Sequence, residues 1–466
     1  MHDFLMLMPE LILSVGATLV LLVAATREDA GMREFARWFS LTITAAAGVA
    51  LAALPRGMAE VSSHGWLLNA PLNVVFGLAF IAIVAWVLLA GRVPDSDAGE
   101  WYSLLLFAGI GLVTLARTSN LAGLFLGIEL LSIALYALIA FSYQSRLGLR
   151  GGAMYLTLAG FASGFLVFGL ALVYAVYGTL DTAALSAQAL ADGIRSLPAI
   201  VGFGLFLIGV AFKLAAVPCH MWAAEVYEAA PGSVSGLIAS ASKGAIIAAF
   251  IPFLFLLGTH WQVLWLLSAG SMVIGNLLAL REQRVKRILA YSSIAHIGYL
   301  LVGYMAGYGG AGISGVQSVT FYVVAYAAAI LGAFATLSML EGERTITLRD
   351  LRGVAKRSPV LAACMLVFVM SLAGLPPTIG IWGKIFLFQA SVSANYFWLP
   401  LIGLVASAIG IAYYLRIIVH LFMMPPDASN VQVRGSALQT GVLVVTAATT
   451  VLFSVFPQTL LRLLAL

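Results

Sequence analysis

Read for polarity alone, the chain is a succession of long apolar runs separated by short polar pieces. Fourteen runs are long enough for a hydrocarbon layer of roughly 30 Å, which takes about 20 helical residues to cross. Their centres fall near Ser14, Ala46, Phe80, Ile110, Leu131, Phe165, Leu207, Ile246, Gly270, Ile297, Tyr326, Thr378, Ser407 and Val451. The pattern predicts an all-α polytopic membrane protein of about fourteen transmembrane helices in a single membrane domain. Longer polar pieces, about Arg27–Arg37, Gly91–Trp101, Gly178–Ser196 and Glu341–Ser358, are expected to be loops, the last with a short surface helix. His2 and Asp3 stand where a signal peptide carries positive charge, so the first run is expected to be a retained span. Two runs are interrupted: one by Pro218, the other by Pro376 and Pro377. Proline removes a helix hydrogen bond, and at membrane depth this is tolerated only where protein or water satisfies the freed backbone.

Composition agrees with the pattern. The chain is 62% hydrophobic and 9% charged, with mean hydropathy +1.04, far from the soluble globular range. Cys219 and Cys364 lie far apart in apolar sequence, with no Cys-x-x-Cys pair, which argues against haem attachment, iron–sulfur ligation or structural zinc. No Walker loop and no strand followed by Gly-x-Gly-x-x-Gly is present. No cofactor or metal is therefore expected on this chain. The net charge of +5 does not point to nucleic acid, because the basic residues flank the membrane runs. Of the 24 Lys and Arg, three lysines lie inside spans, and Arg56, Arg117, Arg195 and Arg462 fall on one side. The remaining 17 fall on the other. Such a bias predicts cytoplasmic heavy loops and both termini outside, in the periplasm. It holds with or without Arg416, which fits either the loop or the inside of the thirteenth helix.

Five titratable residues remain within spans: Glu129, Lys213, Lys243, His296 and Lys384. A lysine at the centre of a membrane helix costs roughly 2.5–3.5 kcal/mol on insertion scales, so it calls for a partner or a wet cavity. At 1.5 Å per residue, Glu129, His296 and Lys384 lie roughly 10–15 Å below a surface, and the other two lysines at similar depth. Each has an ordinary reading by itself. A lysine can snorkel to an interface, Glu129 can be half of a structural ion pair, and His296 can be a neutral, hydrogen-bonded core residue. Five on five helices at one level are hard to explain as packing, and read as a proton or ion path. Ser240, Ser242, Ser292, Ser293, Tyr322 and Tyr326 can supply auxiliary hydroxyls, although each taken alone is ordinary helix-packing polarity.

The chain also looks doubled. Glu129 to Lys213 spans 84 residues and His296 to Lys384 spans 88. Each interval opens on a helix with a buried titratable group and closes on a proline-broken helix bearing lysine, the pointer to a site built on inverted repeats. The expected division is 1–98 (helices 1–3), 99–258 (first repeat, helices 4–8), 259–425 (second repeat, helices 9–13) and 426–466 (helix 14), with helices 7 and 12 broken.

Four of these stretches resemble a known family. FKLAAVPCHMWAAEVYEAAP is similar to the seventh-helix signature of the antiporter-like subunits of respiratory complex I and of Mrp-type cation/proton antiporters. FLGIELLSIALYAL, VKRILAYSSIAHIGY and GLPPTIGIWGK resemble the fifth-, tenth- and twelfth-helix motifs of that family. The likeness covers about Trp101 to Phe422. Lys384 matches the L- and N-type subunits, where the M type has glutamate. A chain ending soon after the fourteenth span lacks the long lateral helix of the L type, so the N type is nearer. The family's Trp-x-Pro-Asp-Val-Tyr-Glu-Gly-Ala-Pro reads Trp222-Ala223-Ala224-Glu225-Val226-Tyr227-Glu228-Ala229-Ala230-Pro231 here, which leaves the local loop geometry open.

The resemblance implies a membrane-arm subunit of an NADH–quinone oxidoreductase that moves protons. FMN, iron–sulfur clusters and quinone would be held by partner subunits. M- and K-type subunits and the L-type lateral helix would be its neighbours. Independently, burial disfavours the charged form of an amine and a nearby carboxylate favours it. Glu129 beside Lys213 would therefore tune its proton release, Lys243 and His296 would relay laterally, and Lys384 would be terminal. A gradient-driven Mrp-type antiporter, a related ion-pumping hydrogenase or dehydrogenase, and a non-transporting structural subunit remain as alternatives.

Overall fold

The computed structural model describes residues 2–26, 31–54, 66–93, 97–141, 145–309, 312–340, 345–426 and 433–464. Of the basic residues behind the orientation argument, Arg27, Arg56 and Arg344 lie outside these. Every regular element among the described residues is helical. The membrane-crossing elements are α1 Met8–Ala24, α2 Met32–Ala53, α3 Pro71–Ala90, α4 Ala98–Arg117, α5 Leu121–Ala140, α6 Arg146–Tyr177 and the pair α7 Leu197–Leu214 and α8 Met221–Ala229. They continue with α9 Gly232–Leu254, α10 Leu257–Arg281, α11 Val285–Ala306, α12 Gly315–Leu340, the pair α13 Pro359–Ala373 and α14 Ile379–Ser393, α15 Trp398–Phe422 and α16 Ala437–Val455. Counting each pair as one span, all fourteen expected runs are present.

The helix ends follow local chemistry. Asn120, Ser145, Asp181 and Ser196 each accept a backbone N–H of the following turn, and Ser436 forms a capping box with Gln439. Pro9, Pro71, Pro198 and Pro359 occupy first-turn positions, where a missing N–H costs nothing. Close helix approach relies on small residues. A side chain at Gly298 of α11 would fall 2.7 Å from the Ser268 carbonyl of α10, and one at Gly169 of α6 the same distance from the Gly202 carbonyl of α7.

Burial is concentrated on a few helices. About nine-tenths of α9, α11 and α12 is buried inside the bundle, against under a third of α2 and α16. Those three central helices carry Lys243, His296, Tyr322 and Tyr326. α9 is irregular where it matters: a π turn at Ile238–Ser242 leads into Lys243, and single π turns inside helices are frequent at functional sites.

Both expected helix breaks are present. α7 stops at Leu214, with Ala215 left-handed at φ +57°, and the chain restarts at Met221. α13 stops at Ala373, with Gly374 at φ +78°, and restarts at Ile379. The motif segment that departs from the family pattern is helical, as α8. Two expectations need correction, those for Gly178–Ser196 and Arg117, while Arg416 takes the helical one of the two placements left open. Gly178–Ser196 contains an eleven-residue helix, Thr182–Asp192, capped by Asp181. Arg416 lies within α15 and donates to the carbonyls of Leu280 (2.6 Å) and Glu282 (3.2 Å), where α10 ends. Arg117 is no loop residue: it is fully buried at the end of α4. In the Glu341–Ser358 stretch, residues 341–344 are outside the described set, and the rest holds one 3-10 turn and the four-residue helix Val354–Arg357.

Candidate proton pathway

The first group forms where α7 ends beside α5. Lys213 Nζ lies 3.2 Å from Glu129 Oε1 and donates to Ser132 Oγ at 2.9 Å. Ser163 of α6 donates to the same carboxylate oxygen at 2.5 Å. Glu129 and Ser132 are three residues apart and so share one helix face. The pair is unevenly buried: the side chain of Lys213 is 2% exposed and that of Glu129 is 23% exposed. The break beside it is satisfied from both sides. Trp222 donates its indole N–H to the Phe212 carbonyl at 2.9 Å, and Val217 N–H donates to Ser271 Oγ at 3.0 Å.

The second group is central. Lys243 is fully buried; its ammonium donates to Ser293 Oγ at 2.7 Å and lies 5.6 Å from the centre of the Tyr227 ring. One turn along α11, His296 meets the Tyr322 hydroxyl through Nδ1 (2.7 Å) and the Tyr414 hydroxyl through Nε2 (3.2 Å). A neutral imidazole donates at one nitrogen and accepts at the other, so both bonds fit a neutral ring, and only donation at both fits the cation. Ser292 shares a hydroxyl–hydroxyl bond with Tyr414. The Tyr326 ring stacks on His296 with centroids 4.6 Å apart.

The third group surrounds Lys384. Its ammonium donates to the Ala373 carbonyl at 2.9 Å and to Ser407 Oγ at 2.7 Å, over the Tyr299 ring at 5.0 Å. Ala373 closes α13, so the break leaves its carbonyl without an intrahelical partner. Gly374 lets the side chain through, since a Cβ there would fall 2.8 Å from Lys384 Cδ. Asn276 joins the Tyr299 hydroxyl (3.3 Å) to that of Tyr413 (2.9 Å).

The five expected residues thus fall into three groups: a hydrogen bond joins Glu129 to Lys213, Lys243 and His296 stand together because their networks reach the adjacent Ser293 and Ser292, and Lys384 is apart. The expected pairing of Glu129 with Lys213 is present. Among the auxiliary residues, Ser293 accepts from Lys243, Tyr322 bonds His296, the Tyr326 ring stacks on His296, and Ser292 reaches it only through Tyr414. Ser240 instead donates to the Gly236 carbonyl of its own helix at 2.6 Å, and Ser242 is buried in the π turn. Ser132, Ser163, Tyr227, Tyr299, Ser407 and Tyr414 were not foreseen, because nothing in sequence separates them from ordinary helix residues.

A second buried ion pair joins this half to the first helix. Arg117 donates from Nη1 to both carboxylate oxygens of Glu10 at 2.8 Å and from Nη2 to the Met6 carbonyl at 2.7 Å, tying α1 to α4. No group of three or more His, Cys, Asp or Glu able to hold a metal occurs among the described residues.

The same fold occurs in known proteins. The family described as NADH:quinone oxidoreductase/Mrp antiporter, transmembrane, matches residues 118–410. NADH-quinone oxidoreductase subunit N of Trichlorobacter lovleyi is 34% identical over 468 aligned residues, covering 98% of this chain and 95% of the relative. A chain of respiratory complex I from Thermus thermophilus superposes with a TM-score of 0.85 at 30% identity, covering 98% and 99% of the two chains. A chain of the Mrp complex from a Dietzia species reaches the same TM-score at 20% identity, over 99% of this chain and 96% of that one, a likeness of fold alone. The matched span holds Glu129, Lys213, Lys243, His296 and Lys384 together with both helix breaks, and this chain belongs to the NADH:quinone oxidoreductase/Mrp antiporter transmembrane family.

Proposed function

We propose that this chain is a proton-translocating membrane-arm subunit of an NADH–quinone oxidoreductase. It couples electron transfer carried out in other subunits to proton movement through the Glu/Lys/His row. The observation that carries this reading is the likeness to N subunits over nearly the whole chain, which spans the entire row. In this role Glu129 sets how readily Lys213 releases its proton, Lys243 and His296 relay laterally with water between them, and Lys384 is the terminal site. Ser293, Ser292, Tyr322 and Tyr326 line the relay. The two halves act as inverted repeats, each with one broken helix. The chain itself holds no redox centre; FMN, iron–sulfur clusters and quinone belong to partners. Its neighbours are M- and K-type subunits and the L-type lateral helix, in the inner membrane, with both termini periplasmic as the basic-residue bias indicates.

The test is co-purification from native membranes through a tag on this chain, followed by NADH-driven proton translocation in vesicles. Recovery with flavin- and quinone-binding partners, and loss of pumping in Lys213→Met, are expected. Recovery only with small antiporter subunits, and ion exchange independent of NADH, would sink the reading.

A further inference from the structure

On the side where the basic loops cluster, one arginine holds two carboxylates of different depth. Arg287, near the start of α11, donates from Nη2 to Glu225 Oε1 at 2.7 Å, while its Nε lies 3.8 Å from Glu228 Oε2. The Glu225 side chain is 44% exposed and that of Glu228 is 1% exposed. A single guanidinium therefore reaches from the surface to a carboxylate inside the bundle. The residue before Glu228 is Tyr227, fully buried, with its ring beneath the ammonium of Lys243. Among the described residues its hydroxyl makes no hydrogen bond of ordinary geometry, and neither does that of Tyr326, which stacks on His296. Buried hydroxyls in native proteins are nearly always bonded, so orphaned ones mark a place where water or function takes the bond. Two of them lie beside Lys243 and His296.

We infer that Glu228 and Tyr227 form the proton uptake branch of Lys243; this rests on the proton-translocating role proposed above. A proton from the aqueous face adds to the Glu228 carboxylate, giving the neutral acid. That proton passes by way of the Tyr227 hydroxyl, and water that would bond it, to the neutral amine of Lys243, which becomes an ammonium. The tyrosine releases one proton as it accepts another, and Glu228 returns to carboxylate. Arg287 carries nothing, since a guanidinium does not deprotonate in proteins. It holds the buried carboxylate at the mouth, in competition with Glu225. In the plain alternative, the arginine only fastens α8 to α11.

The experiment compares Lys243→Met, Glu228→Gln and Tyr227→Phe in the intact complex, reconstituted into vesicles. The proton-to-electron ratio is read, with the amount of assembled complex measured separately. Glu228→Gln and Tyr227→Phe should each lose the same share of the ratio that Lys243→Met loses, and Glu228→Asp should restore it. A wild-type ratio in Glu228→Gln and Tyr227→Phe beside a reduced one in Lys243→Met overturns the branch and leaves the row standing. A wild-type ratio in Lys243→Met removes the underlying role instead. If Glu228→Gln fails to assemble, Tyr227→Phe, which keeps ring and volume, decides alone.

Discussion

The two lysines beside the helix breaks are held in opposite ways. Lys213 precedes its break, closing the last turn of α7, and meets a carboxylate of another helix at 3.2 Å. Lys384 follows its break, inside α14, and its hydrogen-bond partners among the described residues are neutral: the Ala373 carbonyl and the Ser407 hydroxyl. At the first site, charge on the lysine is favoured by an acid that is itself partly exposed at the flank of the bundle, so whatever faces Glu129 in an assembly can bias Lys213. At the second, charge is favoured by a carbonyl that the break sets free and by the Tyr299 ring, within the reach of a cation–π contact. A lysine beside a helix break thus meets a partly exposed carboxylate in one place and buried neutral groups in the other.

The largest contrast should come from removing each amine. Taking away one partner of a buried ion pair costs about 3–5 kcal/mol because a charge is left stranded, whereas an unsatisfied neutral acceptor costs about 1–3 kcal/mol. Lys213→Met and Lys384→Met should both lose proton translocation, but only Lys213→Met should also lower the yield of assembled complex on native gels. Equal yields would erase the distinction between the two sites.

Next comes the carboxylate. Glu129→Gln keeps the shape but leaves the more deeply buried Lys213 without its acid, so pumping should fall and the yield of assembled complex with it. Exchanging the residues, Glu129→Lys with Lys213→Glu, should restore assembly better than either single change without restoring pumping. Unchanged proton translocation in Glu129→Gln would show that Lys213 needs no acid.

At the second site, the informative change is in what titrates there. Lys384→Arg keeps a charge that cannot release its proton and should assemble yet pump poorly, whereas Lys384→Glu should retain part of the activity. Vesicle assays ranking Arg level with wild type would take Lys384 out of the path. The smallest effect is expected for Tyr414→Phe, which removes bonds to His296 and Ser292, each worth about 0.5–1.5 kcal/mol net. It should slow pumping by less than any lysine variant and lower the thermal midpoint slightly.

Much of this architecture was legible in the chain. Fourteen apolar runs, two proline breaks and five ionisable residues in apolar surroundings could be read because hydrocarbon imposes rules that depend on local sequence alone: a span must be long, helical and nearly uncharged. Those rules also make each exception conspicuous, so Glu129, Lys213, Lys243, His296 and Lys384 stood out singly. Their grouping did not. Ser132, Ser407, Tyr299 and Tyr414 look like any small or aromatic helix residues until packing turns them towards an ammonium or an imidazole. Arg117 looked like a loop residue because it ends a helix, and only the approach of α1, 107 positions away in sequence, supplies the carboxylate that allows its burial. The π turn before Lys243 had no signal either, since its Ile-Ala-Ser-Ala-Ser is ordinary helical sequence. Which groups are costly to bury is set by the sequence, because that cost belongs to the residue and the solvent. Which partners meet the cost is set by packing, because hydrogen bonds and ion pairs act over about 3–4 Å between helices far apart along the chain.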